Sequence, residues 1–172
     1  MDEPTPELDL EQFLPYRFNR LAERISASLS EVYRGQYRIS VPEWRILAWL
    51  SQRERLTATD ICRRAYMDKA TVSRAVQRLE DRGLLVRAPS VNDQRGLVLT
   101  LTPAGEDLLA DLAPRAHRWE ARLVETLSVH EYRSLLHLFG KLERQLSRIE
   151  LEDQSEAQTP HSRNLKGSAG RG

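Results

Sequence analysis

The feature that most constrains this chain is the order of local signals between Leu56 and Thr102: two short helical patterns, a glycine stop, then two apolar runs separated by turn residues. Thr57 stands where an N-cap is needed, with Asp60 three residues on to complete a capping-box pair. Ile61 and Ala65 give the helix that follows an apolar side. Tyr66-Met67-Asp68 is a tight connection. Asp68 caps a second helix, in which Val72, Val76 and Leu79 recur at the spacing of one buried stripe. The opposite side is polar throughout: Lys69, Thr71, Ser73, Arg74, Gln77 and Arg78 are residue types that donate to phosphates or pair with base edges. Gly83 sits where a C′ residue closes a helix.

The next segment fits a wing. Leu84 to Ala88 and Leu97 to Leu101 are short, apolar and rich in branched residues, and residues 89–96 between them are turn-forming. Leu97, Leu99 and Leu101 alternate with Val98 and Thr100, so one face is expected to pack on the helices while the other meets solvent. Arg95 near the tip is placed to enter a minor groove, and Asp93 is close enough to hold its guanidinium. Two helices followed by a hairpin make a winged helix-turn-helix.

The run from Asp93 through Arg95 to Leu101-Thr102-Pro103-Ala104-Gly105 closely resembles the wing signature of MarR-type regulators, D-x-R, four residues, then L-T-x-x-G. Asp68-Lys69-Ala70-Thr71-Val72-Ser73-Arg74 and Leu79-Glu80-Asp81-Arg82-Gly83-Leu84 resemble the recognition helix of the same family. The resemblance extends roughly from Leu10 to Ile149. It implies a dimeric, DNA-binding transcription regulator, often released by a small ligand, whose fold is mainly α with a small β-hairpin wing.

Composition is consistent with this reading. The 172 residues, 40% hydrophobic and 30% charged, suffice for one domain with a sizeable core. No span is apolar and long enough for a membrane, and the acidic, polar start Met1-Asp2-Glu3-Pro4 is unlike a signal peptide. A single cysteine excludes an intrachain disulfide, which suits the cytoplasm. Net charge is only +1, but residues 53–95 hold 10 Lys and Arg against 6 Asp and Glu, or +4, and the remainder holds 16 against 19, or −3. The basic excess coincides with the proposed DNA-binding unit.

Along the chain, residues 1–9 are expected to be a flexible N-terminus, residues 10–150 a single regulator domain, and residues 151–172 a flexible tail. Within the domain, 40–102 form the DNA-binding winged helix, and 10–35 and 103–150 the dimerisation helices. The first helix opens near Phe13 with Pro15 in its first turn, and Leu14, Phe18, Leu21, Ile25, Leu29 and Val32 form one apolar stripe. Gly35 stops it, and Ser40-Val41-Pro42-Glu43 is a capping box for the second. Gln52 to Leu56 reads as a charged link. After the wing, Thr102-Pro103 opens a helix that Pro114 should bend. Ser128-Val129-His130-Glu131 caps the last helix.

These three outer helices are amphipathic and need a surface to cover. A homodimer supplies it and sets two recognition helices on a two-fold axis; an intramolecular helical cap in a monomer is the alternative. A dimer requires an inverted-repeat operator with half-sites about one turn, ~10 bp, or a multiple of that apart. By position, Ser73, Arg74 and Gln77 are assigned to base edges, and Lys69, Thr71 and Arg78 to phosphates. Arg74 could instead be held by Glu80 or Asp81 in a helical pair.

In the family the ligand pocket lies between the dimerisation helices and the winged domain, which implies Phe13, Tyr16, Phe18, Arg20, Tyr37, Trp44 and Trp119 as lining residues. Each aromatic also has an ordinary core reading. A second resemblance, carried by LDLEQFLPYRFNRLAERIS and VPEWRILAWL, is to the branch that controls breakdown of aromatic acids and hydroxycinnamates, some through coenzyme A thioesters. Arg34 and Arg38 would then meet the coenzyme's phosphates, or else face solvent or DNA. Cys62 reads as a small buried filler, and the four histidines offer no close pair for a metal. No cofactor is expected. Neither a nucleophile elbow nor a phosphate-cradling loop suggests an enzyme, and a winged-helix protein-interaction module remains as the rival function.

Overall fold

The computed structural model describes residues 8–53, 55–89 and 97–157. Helix boundaries follow the capping chemistry closely. The first helix, α1 (Leu14–Arg34), carries Pro15 in its opening turn. The second, α2 (Val41–Gln52), begins where the Ser40 backbone N–H donates to the Glu43 carboxylate at 2.8 Å. A short strand, β1 (Leu56–Thr57), leads into α3 (Ala58–Ala65), capped by the reciprocal Thr57–Asp60 bonds. The recognition helix is α4 (Lys69–Asp81), whose N-terminus is closed by Asp68 accepting from the Thr71 N–H at 2.8 Å.

The end of α4 is a Schellman motif: Gly83 adopts φ +66°, its N–H donates to the Glu80 carbonyl, and the Leu84 N–H donates to Leu79. Strands β2 (Leu85–Pro89) and β3 (Leu97–Leu101) follow, then α5 (Pro103–Leu123) and α6 (Val129–Ala157). At the start of α5 the Thr102 hydroxyl accepts from the Gly105 N–H at 3.1 Å. A side chain at Gly105 would place its Cβ 2.0 Å from the Leu84 carbonyl oxygen. The L-T-x-x-G pattern therefore has a steric reason: the threonine caps the helix, and the glycine lets its first turn lie against the strand entry.

The chain divides into two units, residues up to Arg122 and residues from Leu123 onward. In the first unit the core joins Tyr33 and Ile39 to Ile46, Leu47 and Leu50 of α2, Ile61 of α3, Val72, Ala75, Val76 and Leu79 of α4, Leu85 and Leu99 of the sheet, and Leu109 and Leu112 of α5. The second unit is the single long helix α6 with its approach. Ser128 and Glu131 form the expected capping box, and Leu136, Leu138, Leu142 and Leu146 are all exposed.

Several expectations need correction. The sheet has three antiparallel strands in the order β1-β3-β2, because Leu56 pairs with Leu99 and Thr57 with Val98. The segment read as a charged link thus ends in a strand, and Leu56 is buried. As the central strand, β3 does not alternate as expected: Val98, in register with Thr57 and Ala88, is buried, whereas Leu97 at the outer end is 54% exposed. The α1 stripe also divides, with Leu14, Phe18 and Leu21 exposed while Leu29 and Val32 pack on the core. Pro114 does lie inside α5, as the sequence reading placed it. Helix α6 runs to Ala157, beyond the boundary set at residue 150, because the polar sequence after Leu151 holds no glycine or proline before Pro160 to stop it.

Candidate nucleic-acid interface

Helix α4 is seated by four buried side chains, Val72, Ala75, Val76 and Leu79, and this fixes which way its polar face points. Lys69, Ser73, Arg74, Gln77 and Arg78 are all exposed, and Thr71 is partly so. Asp68 organises the N-terminal turn. It accepts from the Thr71 hydroxyl at 2.6 Å as well as from the Thr71 N–H, and these bonds hold its carboxyl below the usual carboxylate range. The Thr71 hydroxyl in turn accepts a long bond, 3.4 Å, from Arg74. Among the described residues Arg74 makes no ion pair, so the alternative pairing with Glu80 or Asp81 does not occur. Its guanidinium is left pointing from an ordered turn with charge to offer.

Two more of the assigned side chains are engaged beyond this turn. Arg78 Nε donates to Glu43 at 2.6 Å, with Glu43 buried and Arg78 half exposed. Burial alone would raise the Glu43 carboxyl, but the Ser40 N–H and the Arg78 guanidinium outweigh it and hold the group below its ordinary value. Arg78 therefore joins α4 to α2, a role that its polar position did not reveal. Gln77 donates to Asp81 at 2.8 Å and accepts from Arg87 at 3.3 Å. Arg87, which the sequence reading did not single out, also pairs with Glu80 at 3.0 Å, linking β2 to the recognition helix.

Asp93 and Arg95 lie outside the described residues, so their pairing at the wing tip has no geometry here. A second residue missed by the sequence reading is Tyr66. It is 94% exposed and holds φ 49° at the end of α3, where its N–H donates back to the Cys62 carbonyl. Only the left-handed geometry of the turn, not any pattern of residue types, marks it.

The nine residues assigned to a ligand fall in three places. Phe13, Tyr16, Phe18 and Arg20 lie on the exposed N-terminal part of the chain, at and after the start of α1. Trp44 belongs to the core margin, stacked on Tyr33 with ring centroids 5.4 Å apart. Arg34 is exposed in the last turn of α1, while Tyr37, Arg38 and Trp119 lie between the end of α1 and α5. There the Tyr37 hydroxyl donates to Asp111, the Arg115 guanidinium lies 5.6 Å from the centre of the Tyr37 ring, and the Trp119 indole N–H donates to the Ser28 hydroxyl at 3.2 Å. Tyr37 is pushed up by burial and by its bond to Asp111, which that same hydroxyl and Arg115 hold below its ordinary value. Arg38 has φ 52°. Its carbonyl and that of Tyr37 accept from Arg82 at 3.0 and 2.8 Å.

Among the described residues no three His, Cys, Asp or Glu are grouped as a metal would require, and no helix is long and apolar enough to cross a membrane. Cys62 is only partly buried and borders a hollow of about 400 Å3 between α3, α4 and the wing, so it is less enclosed than a core filler.

Comparison with known proteins agrees with the geometry. The MarR family model matches residues 39–96, the span from Ile39 through the wing tip. The transcriptional regulator FarR of Neisseria gonorrhoeae is 30% identical over 108 residues, covering 63% of this chain and 74% of FarR. The transcriptional repressor Mb2911 of Mycobacterium bovis is 28% identical over 131 residues, 76% of this chain and 91% of that protein. The crystal structure of a MarR/EmrR family regulator from Acinetobacter sp. ADP1 superposes with a TM-score of 0.75 at 26% identity, over 82% of this chain and 99% of the other. With its capped recognition helix, three-stranded wing sheet and L-T-x-x-G closure, this chain belongs to the MarR family of winged helix-turn-helix transcriptional regulators.

Proposed function

We propose that the protein is a dimeric repressor, acting in the cytoplasm, that binds an inverted-repeat operator and is released by a small aromatic acid or its coenzyme A thioester. The observation that carries the DNA-binding part is the face of α4: Lys69, Ser73 and Arg74 are exposed on a helix whose opposite side is locked into the core. Arg74 and Ser73 read base edges, joined by Gln77 once it exchanges Asp81 and Arg87 for a base. Lys69, Thr71 and the free edge of Arg78 contact phosphates, and Arg95 with Asp93 keeps its assignment to the minor groove. Repression is supported by the name of the Mycobacterium bovis relative. Dimerisation is supported by the exposed leucines of α6, which no monomer of this fold needs on its surface.

Release follows if the ligand prefers a dimer whose two recognition helices no longer match successive major grooves. The test is selection of bound fragments from the source genome by the purified protein, repeated with hydroxycinnamates, benzoates and their coenzyme A thioesters. An inverted repeat whose recovery one compound class abolishes supports the whole reading. A repeat indifferent to every compound removes the aromatic-acid effector, and no enrichment even at low salt leaves a protein-interaction module.

A further inference from the structure

Among the described residues no large hydrophobic side chain is more exposed than Tyr66, at 94%, in the turn between α3 and α4. The turn that displays it is firmly held. Ala65 before it is buried, Met67 after it packs on the core, and the N–H groups of Tyr66 and Met67 both donate to the Cys62 carbonyl, the second at 3.1 Å. Asp68 then caps α4. Tyr66 itself sits at φ 49° and ψ 50°, a left-handed conformation that costs every residue with a Cβ more than it costs glycine. Among the described residues its side chain has no hydrogen-bond or ring partner that would repay this strain. Strain that persists in a well-braced turn, on a side chain the fold does not use, points to a role outside the fold. The direction is given by α3. Its Thr59 and Cys62 share a hollow with Lys69 and Ser73 of α4, and Tyr66 follows Cys62 by four residues, one turn on, beside the first turn of α4.

We infer that the Tyr66 hydroxyl donates to a DNA backbone phosphate at the edge of the groove that α4 enters, and so positions the N-terminal end of that helix over the bases. This rests on the DNA-binding reading above. A phenol suits the task. Its O–H donates to a phosphate oxygen, and the rigid ring carries that donor clear of the backbone with only two side-chain torsions to fix, so ordering it costs less than ordering a lysine. Exposed Lys69, three residues on, supplies the charge that draws the same strand in. The tyrosine, being neutral, adds placement without adding to the salt-dependent attraction. A glycine in its place would relax the turn and lose the contact, which accounts for a strained tyrosine where the backbone favours glycine.

The full-length protein and its Tyr66→Phe and Tyr66→Gly variants are titrated by fluorescence anisotropy with the operator recovered from the genome and with a scrambled duplex. Tyr66→Phe keeps the ring and the backbone strain and loses only the hydroxyl. It should bind both duplexes about tenfold more weakly than the wild type, with an unchanged salt slope. Tyr66→Gly should bind at least as weakly while resisting denaturant better than the wild type, which separates loss of binding from loss of fold. Single methylphosphonates placed in turn along a half-site locate the contact: at one position the wild type is weakened and Tyr66→Phe much less so, because its bond is already absent. Tyr66→Phe binding both duplexes as the wild type does overturns the proposal. So does a scan with no such position, or a loss confined to the operator with a changed base preference, which would make Tyr66 a base reader. If the wild type binds neither duplex even at low salt, the DNA-binding reading itself fails and this contact with it.

Discussion

Arg78 of α4 donates its Nε to the buried carboxylate of Glu43 at 2.6 Å, so this helix is anchored through one of its own polar residues to α2. Replacing Arg78 by Ala leaves Glu43 buried with one partner fewer and should cost about 1–3 kcal/mol of stability. The pH dependence has a definite sign. Glu43 is held below its ordinary value in the folded state, so its contribution is fully present above the unfolded carboxylate value and lost as pH falls through the lowered folded one. Urea unfolding at neutral pH should separate wild type from Arg78→Ala, and the gap should narrow in the acid range below the ordinary glutamate value. An equal gap at both pH values would contradict the linkage.

Gly105 and Gly35 should respond oppositely to alanine. At Gly105 the new Cβ meets the Leu84 carbonyl at 2.0 Å, and the backbone must move, at a cost of about 1–3 kcal/mol. At Gly35 nothing lies within 4 Å and φ is −63°, so alanine should be neutral or stabilise by up to about 1 kcal/mol through the unfolded state. Thermal melts of the two variants decide it, and a fall in Tm at Gly35 as large as that at Gly105 would contradict the steric account.

Tyr66→Gly should raise stability by about 0.5–1 kcal/mol, since φ 49° costs a tyrosine more than a glycine and its side chain, 94% exposed, has little packing to lose. Chemical denaturation measures this directly. Loss of stability would mean that the ring has a partner in the assembled protein.

For DNA, Arg74→Ala should cost about 1–3 kcal/mol on the operator and relax one position of the site, because a bidentate contact to one base is lost. Lys69→Ala should weaken operator and scrambled duplex alike and reduce the salt slope by about 0.9. Anisotropy titrations at several salt concentrations distinguish the two patterns. An Arg74 variant that loses affinity equally for both duplexes would make Arg74 a phosphate contact.

On α6, Leu142→Glu combined with Leu146→Glu changes two exposed positions and should leave the helix formed. If these leucines cover a partner subunit, the variant should sediment as a monomer and bind a full operator much more weakly than the wild type. Retained dimer mass would send the interface elsewhere.

What the sequence by itself determined is what neighbouring residues decide among themselves. Thr57 with Asp60, Asp68 with Thr71, Ser128 with Glu131 and Gly83 with Glu80 are contacts across three positions, and every one of these helix ends lies where its residues place it. The apolar period of α4 likewise named Val72, Val76 and Leu79 before any partner was known. Only the tertiary structure decided the rest. Strand β1 has two residues and no signal of its own; it exists because Leu99 and Val98 supply its hydrogen bonds. Val98 is buried because strands lie on both sides of it, and Arg78 is a strut because α2 brings Glu43 to it from 35 residues away. The partners of two aromatics assigned to a ligand were settled in the same way, Trp44 stacked on Tyr33 and Trp119 bonded to Ser28. A residue's type states which bonds it can make, and near neighbours are within reach in any conformation. Distant ones compete for it, and only the packed chain settles which is close enough.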